Sequence, residues 1–311
     1  MQYYRTIERT FPTGSSPRLR IANRRGELSI IGEDRDDIAF TAQIAVSAEN
    51  EREADERLQA VELPMVHEGD VVVIGQFQDE ERAEDGIRFV RQGWRFNLRL
   101  GFQFAEARID MAVRVPRHCR VEATQRSGPA RIAGLHAPVT VESRSGRTEV
   151  REVRGPVCIE ARSGAVEVRD IAGDLDITGR SGRIEVEQVA GDAALRSRSG
   201  HVSVADVRGR LSVESRSGRM TLRSIDGEAR AVSTSGAVEW RGAVRAPLSI
   251  EAQTGLIRLA VERGAGFYVD AETKHGSVRS ELPVDHLDQP GQDAPVVRLR
   301  AQSGSIRIVA A

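Results

Sequence analysis

The sequence predicts an all-β protein: a single-chain parallel β-solenoid (β-helix) of about 18 residues per coil, with one short helix near the N-terminus. Three observations predict it. Serine-glycine dipeptides begin at Ser127, Ser145, Ser163, Ser181, Ser199, Ser217 and Ser235, each 18 residues after the last. Between them, apolar and polar residues alternate in two short runs, the pattern of half-buried strands. A second glycine, at Gly155, Gly173, Gly191, Gly209 and Gly227, keeps the same period. A fixed spacing of this length marks one small unit stacked many times.

Aligned on the first glycine, the units read V-x-V-x-S-R-S-G-x-V-x-V-x-x-V-x-G-x. The inward columns of the first strand are Val139, Val157, Leu175, Ala193, Leu211, Ala229 and Val141, Ile159, Ile177, Leu195, Val213, Ala231. On the second strand they are Thr148, Val166, Ile184, Val202, Met220, Val238 and Val150, Val168, Val186, Val204, Leu222, Trp240. Eighteen residues leave no room for a helix beside two strands, which excludes leucine-rich and βα coils. Equivalent strands of successive coils pair in parallel at about 4.8 Å. Right-handed winding is the default for parallel crossovers, although the sequence does not fix the hand. The second glycines mark a corner where the chain turns with positive φ or passes close to its neighbour. By parity, Ser143, Ser197, Ser215, Ser233 and the Ser-Gly serines point inward and bond backbone groups. A row of nucleophiles would need a base within reach, and no histidine column accompanies them.

The chain divides into an N-terminal β-rich segment, 1–120, and a regular solenoid, 121–311, with irregular C-terminal coils. Residues 19–30 fit the repeat with Asn23 and Arg25 in the serine places, so a degenerate first coil forms there. Ile38 to Val46, Val71 to Phe77 and Ala107 to Val115 read as further strands. After Ser47 or Asn50, residues 49–61 carry Ala54, Leu58 and Val61 at helical spacing and form the helix, a candidate end cap. Beyond Ser235 the corners drift to Thr254-Gly255, His275-Gly276 and Ser303-Gly304, and 282–295 is a loop rich in Pro, Asp and Gln.

The 45 basic and 46 acidic side chains leave a net charge of −1, with no overall pull toward nucleic acid or anionic membrane. No apolar run reaches transmembrane length and the N-terminus lacks a signal-peptide core, which points to the cytoplasm while leaving envelope association open. Cys119 and Cys158 fall on different coils and columns, beyond disulfide reach, and are expected as free thiols. Lys274 is the only lysine, a compositional bias that cautions against reading selection into any single arginine. The histidines show no metal-ligand spacing and no nucleotide-binding motif is present, so no metal or cofactor is expected.

Two features stand out as candidate sites. Arg126, Arg144, Arg162, Arg180, Arg198 and Arg216 form an outward column with one arginine per coil. Guanidinium groups about 5 Å apart repel by roughly 0.8 kcal/mol even in bulk water, so the column fans out or gathers anions. It is either a solvated ladder, with Glu142, Glu160 and Glu214 able to neutralise three members, or a binding stripe for a polyanion. In the insertion at 86–104, Trp94, Phe96, Leu98, Leu100, Phe102 and Phe104 alternate strictly with mostly polar residues. Such a ribbon lies on its own solenoid as a cap, or meets another subunit or a bilayer surface.

The motifs Leu19-x-Ile21-x-Asn23-x-x-Gly26-x-Leu28-x-Ile30, Ile109-x-Met111-x-Val113-x-Val115-Pro116, the serial Ser-Gly corners and Ser303-Gly304-Ser305-Ile306 carry a resemblance to a known family. Together they resemble the bacterial "putative adhesin" family of β-strand-repeat domains of unknown function. The resemblance covers nearly the whole chain. Some members of that family are associated with envelope stress, and the residues themselves point to a non-enzymatic, adhesin-like scaffold that presents a repetitive charged surface to a macromolecular partner, a polyanion or envelope component among them. The resemblance carries over no catalytic residue. Two rivals remain open: a self-assembling filament like bactofilin, disfavoured by the long segment 31–116, and a polysaccharide-active β-helix enzyme, which needs charged groups converging in a groove.

Overall fold

The computed structural model describes residues 1–75, 107–262, 266–282 and 294–311. The aromatic ribbon from Trp94 to Phe104 lies outside them. The regular part is a stack of coils in register: β10 (Val139–Ser145) and β11 (Thr148–Val153), then β12 (Val157–Ile171), β13 (Leu175–Val189), β14 (Ala193–Val207), β15 (Leu211–Ile225), β16 (Ala229–Gly242) and β17 (Leu248–Val261). Each pairs in parallel with the next, so that Val141, Ile159, Ile177, Leu195, Val213 and Ala231 stand one above another. Every member of that column is at most 1 % exposed. The other three inward columns are buried as well, and Arg162 points to solvent.

The two glycine corners work differently. Gly146, Gly164, Gly182, Gly200 and Gly218 take φ between 119° and 128°, a region open essentially to glycine alone. Gly155, Gly173, Gly191, Gly209 and Gly227 have no such φ; they are glycine because a Cβ would lie 2.2–2.6 Å from backbone atoms of the coil below. Between these corners lies a bend that alternation does not show. Glu152, Asp170, Gln188, Asp206 and Ser224 hold φ of 52–61° in one 18-residue column, which lets residues three apart, such as Val150 and Val153, both face the core. The left-handed region costs an ordinary side chain about 1 kcal/mol or more, and least for Asn or Asp. We therefore expect Gln188→Asn to stabilise the protein by about 0.5 kcal/mol, seen as a melting temperature about 1–2 °C higher. An unchanged or lower midpoint would mean that this bend stores no strain.

At the N-terminal end, β2 (Arg18–Asn23) and β3 (Leu28–Glu33) form a first coil that stacks on β8 (Arg120–Ser127) and β9 (Ala130–Ala133). The next layer outward is β6 (Val71–Ile74), the return strand of a hairpin with β5 (Met65–Glu68), and β7 (Arg108–Pro116). There the parallel pattern stops. β4 (Asp37–Ser47) pairs antiparallel with β7, and β1 (Gln2–Pro12) pairs antiparallel with β4. The helix α1 (Glu51–Ala60) starts at Asn50, whose side chain accepts from the Glu53 amide, and buries Ala54 and Leu58. Leu58 and Val61 pack with Ile44 and Val46 of β4, so this end is covered by antiparallel strands with the helix packed on them.

The C-terminal coils are not stacked in chain order. β19 (Val296–Ala310) lies directly on β17, and β18 (Tyr268–Ser280) lies outside it, on β19. Their inward residues explain the exchange. β19 offers Val297, Leu299, Ala301, Ile306 and Ile308, all buried, whereas β18 offers the smaller or more polar Val269, Ala271, Thr273, Val278 and Ser280. An inner coil buries both faces against neighbours and a terminal coil only one, so the more apolar coil gains more from the inner place.

Candidate functional site: an arginine-lined groove

The corner that carries the arginine column shows why serine precedes glycine. Strand pairing skips the arginine position, passing from Ser143 and Ala161 directly to Ser145 and Ser163. The arginine carbonyl is met instead by a serine hydroxyl of the next coil. Ser163 Oγ donates to Arg144 O at 2.9 Å, and Ser145, Ser181, Ser199 and Ser217 repeat the bond to Arg126, Arg162, Arg180 and Arg198 at 3.1–3.3 Å. Thr254 does the same for Thr234 at 3.1 Å. The Ser-Gly serines therefore sit exposed or half-buried at the rim rather than pointing inward as parity implied, because the positive-φ glycine beside them breaks the alternation. With the hydroxyls of Ser145, Ser163, Ser181, Ser199 and Ser217 each committed to a carbonyl, this part of the column is an inter-coil brace. The inward serines Ser143, Ser197, Ser215 and Ser233 are buried as expected.

Arg126, Arg144, Arg162, Arg180, Arg198 and Arg216 are all exposed and line one groove of about 1060 Å³. The first coil extends the row: Asn23 pairs with Gln125, which places Arg24 over Arg126 on the same groove. The sequence signal for Arg24 was present, since Asn23 and Arg25 already occupied the serine places. Seven arginines thus follow the groove for about 29 Å at roughly 4.8 Å per coil. Beyond Arg216 the column continues as Thr234, Gln253 and Gln302 and ends on Lys274, the chain's one lysine.

Charge partners separate this column from its neighbours. None of the seven makes an ion pair within 4.0 Å among the described residues, and Glu142, Glu160 and Glu214 on the groove wall do not reach them. Many arginines elsewhere on the coils are paired, among them Arg183 with Glu185 at 3.3 Å, Arg169 with Glu187 at 3.3 Å and Arg196 with Asp176 at 3.5 Å. The groove along the other bend, about 820 Å³, sets Arg117, Arg154, Arg208 and Arg245 against Glu152, Asp170, Asp206 and Asp226 and is balanced. Of these two grooves, the serine-corner one concentrates positive charge without ion-pair partners among the described residues.

No activated thiol accompanies it. Both cysteines are free; burial pushes the Cys119 thiol up to about 12 against a backbone hydrogen bond at Leu19. Partial burial and then Asp176, Glu160 and Glu142 raise that of Cys158. Among the described residues no group of three or more His, Cys, Asp or Glu is placed to hold a metal ion, and no helix is long and apolar enough to cross a membrane.

Three solved structures align with nearly the whole chain at low similarity. A "putative cell adhesion protein" from Clostridium sporogenes is 11 % identical, covering 99 % of this chain and 100 % of that one at a TM-score of 0.27. A "putative adhesin" from Bacteroides fragilis is 10 % identical, covering 98 % and 97 % at a TM-score of 0.36. A "putative lipid binding protein" from Parabacteroides distasonis is 11 % identical, covering 98 % and 96 % at a TM-score of 0.32. No functionally curated protein matches the sequence. The profile of one family of unknown function, which carries no enzymatic assignment, runs from the first coil to the last strand over residues 18–309, and the chain belongs to that family, Toastrack DUF4097.

Proposed function

We propose that the protein is a non-enzymatic solenoid scaffold whose serine-corner groove binds an extended polyanion, with an anionic polymer of the cell envelope as the partner class. The observation that supports this reading is the row from Arg24 to Arg216, seven like charges in one groove with no carboxylate within ion-pair distance among the described residues. A linear polyanion answers such a row by placing one negative group beside each coil. Binding would be repetitive and tolerant of sequence, and it would weaken steeply with salt as condensed counterions are released.

The test replaces Arg144, Arg162, Arg180 and Arg198 together by Gln and measures binding to heparin and to teichoic acid across a salt series. The side chains are exposed, so the circular dichroism and melting of the variant should match the parent. Affinity should fall, and the slope of log K against log salt should drop by about three, as four charge contacts are lost. The control Arg117, Arg154 and Arg208 to Gln, in the balanced groove, should bind like the parent. Equal affinity of parent and four-site variant at every salt concentration would refute the reading.

A further inference from the structure

The two ends of the solenoid are finished differently. The N-terminal coil is followed by β6, β7, β4, β1 and the helix. At the other end β18 pairs with β19 alone among the described residues, and no described strand lies on its outer edge. Val278 occupies a core column, directly over the fully buried Ile306, yet is itself 42 % exposed. Exposed edges are ordinarily blocked by an inward charge, a proline or a bulge. β18 has no proline, and its charges Asp270, Glu272, Lys274 and Arg279 fall at outward positions, as on the inner coils. The inward positions hold Val269, Ala271, Thr273, Val278 and Ser280, so nothing on them prevents another strand from pairing.

We propose that this edge takes a second copy of the same chain, its β18 running antiparallel to the first, across a two-fold axis at the Lys274-His275 corner. In an antiparallel pair, residues opposite each other point to the same face. Inward Val269 and Ala271 of one copy must then face inward Ser280 and Val278 of the other, which closes the core over Val278. In that register Asp270 falls opposite Arg279, twice by symmetry, and Arg279 makes no ion pair among the described residues. Asp270 already holds Arg300 of its own chain at 2.5 Å and keeps lone pairs for a second donor. A two-residue slip one way sets Arg279 against Glu272 but also Asp270 against Glu281; the other way leaves Arg279 opposite Tyr268. Of these three registers, only the central one sets opposite charges together without also setting a carboxylate against a carboxylate.

Such an isologous contact uses the same patch on both copies, so it closes on itself and stops at two. The axis at this corner also keeps both arginine rows on one side of a rod of double length.

Sedimentation and light scattering of the full chain should report twice the 34.1 kDa of one chain. Arg279→Asp and Asp270→Arg each place like charges at both contacts, and each alone should raise the dissociation constant more than about tenfold. Mixed in equal amounts, the two variants place opposite charges at both contacts and should return to the mass of a dimer. Ala271→Lys, an inward charge on the edge, should give a monomer with unchanged circular dichroism. A parent that remains a single chain across the micromolar range, or that grows past a dimer, overturns the proposal. So does a mixture of the two charge variants that stays monomeric.

Discussion

Ile177→Asp is expected to cost at least about 4 kcal/mol and to remove most of the cooperative unfolding transition at neutral pH. Ile177 is 0 % exposed and lies between Ile159 and Leu195 of the adjoining coils, with no polar side chain on that column to receive a carboxylate. Losing the packing of a large aliphatic side chain accounts for about 2–4 kcal/mol, and seating a carboxyl group there adds the rest. Native domains retain only about 5–15 kcal/mol in total. The sign of the pH dependence follows from burial, which raises the introduced carboxyl's pKa in the folded state. Its penalty is then smallest below the unfolded value near 4 and grows as pH rises toward the folded value. Thermal melts at pH 4 and pH 8, each compared with the parent, check both the size and the direction. A variant that melts with the parent at pH 8 would place residue 177 outside the core.

Gly200→Ala should be nearly as damaging, although it adds one methyl group at a rim. At φ 126° an L side chain is strained, and the new Cβ would lie 1.9 Å from the carbonyl oxygen of Gly182 and 2.9 Å from its carbon. Backbone cannot yield as a flexible side chain can. The coils must part or the corner must refold, breaking the Ser199 hydroxyl bond to Arg180 on the way. We expect a loss of about 3 kcal/mol or more, measured by urea unfolding. Because a solenoid is held by contacts between neighbouring coils, the damage should centre on β13 and β14. Hydrogen exchange should show lost protection there first, with β17 and β19 retaining more. A uniform loss over every coil would argue against nearest-neighbour stability.

The period, the in-and-out parity of both strands and the placing of glycine at two corners were set by sequence alone, since each depends on local residue choice repeated every 18 positions. The helix was legible for the same reason, with Asn50 at its start and Ala54 and Leu58 on one face. The arginine column was legible as an exposed row. Its length and isolation were not: whether Arg24 stands over Arg126, or Glu160 reaches Arg162, depends on register and side-chain geometry. The serine hydroxyl bonds depended on how the chain turns at glycine, and the left-handed bend from Glu152 to Ser224 lay behind the V-x-x-V spacing. The order of the last coils was decided by tertiary structure alone. β18 and β19 carry the same corner pattern, and only competition for the one inner place, won by the more apolar β19, sends β18 to the end. That competition is a comparison between distant segments, and no pattern within either segment contains it.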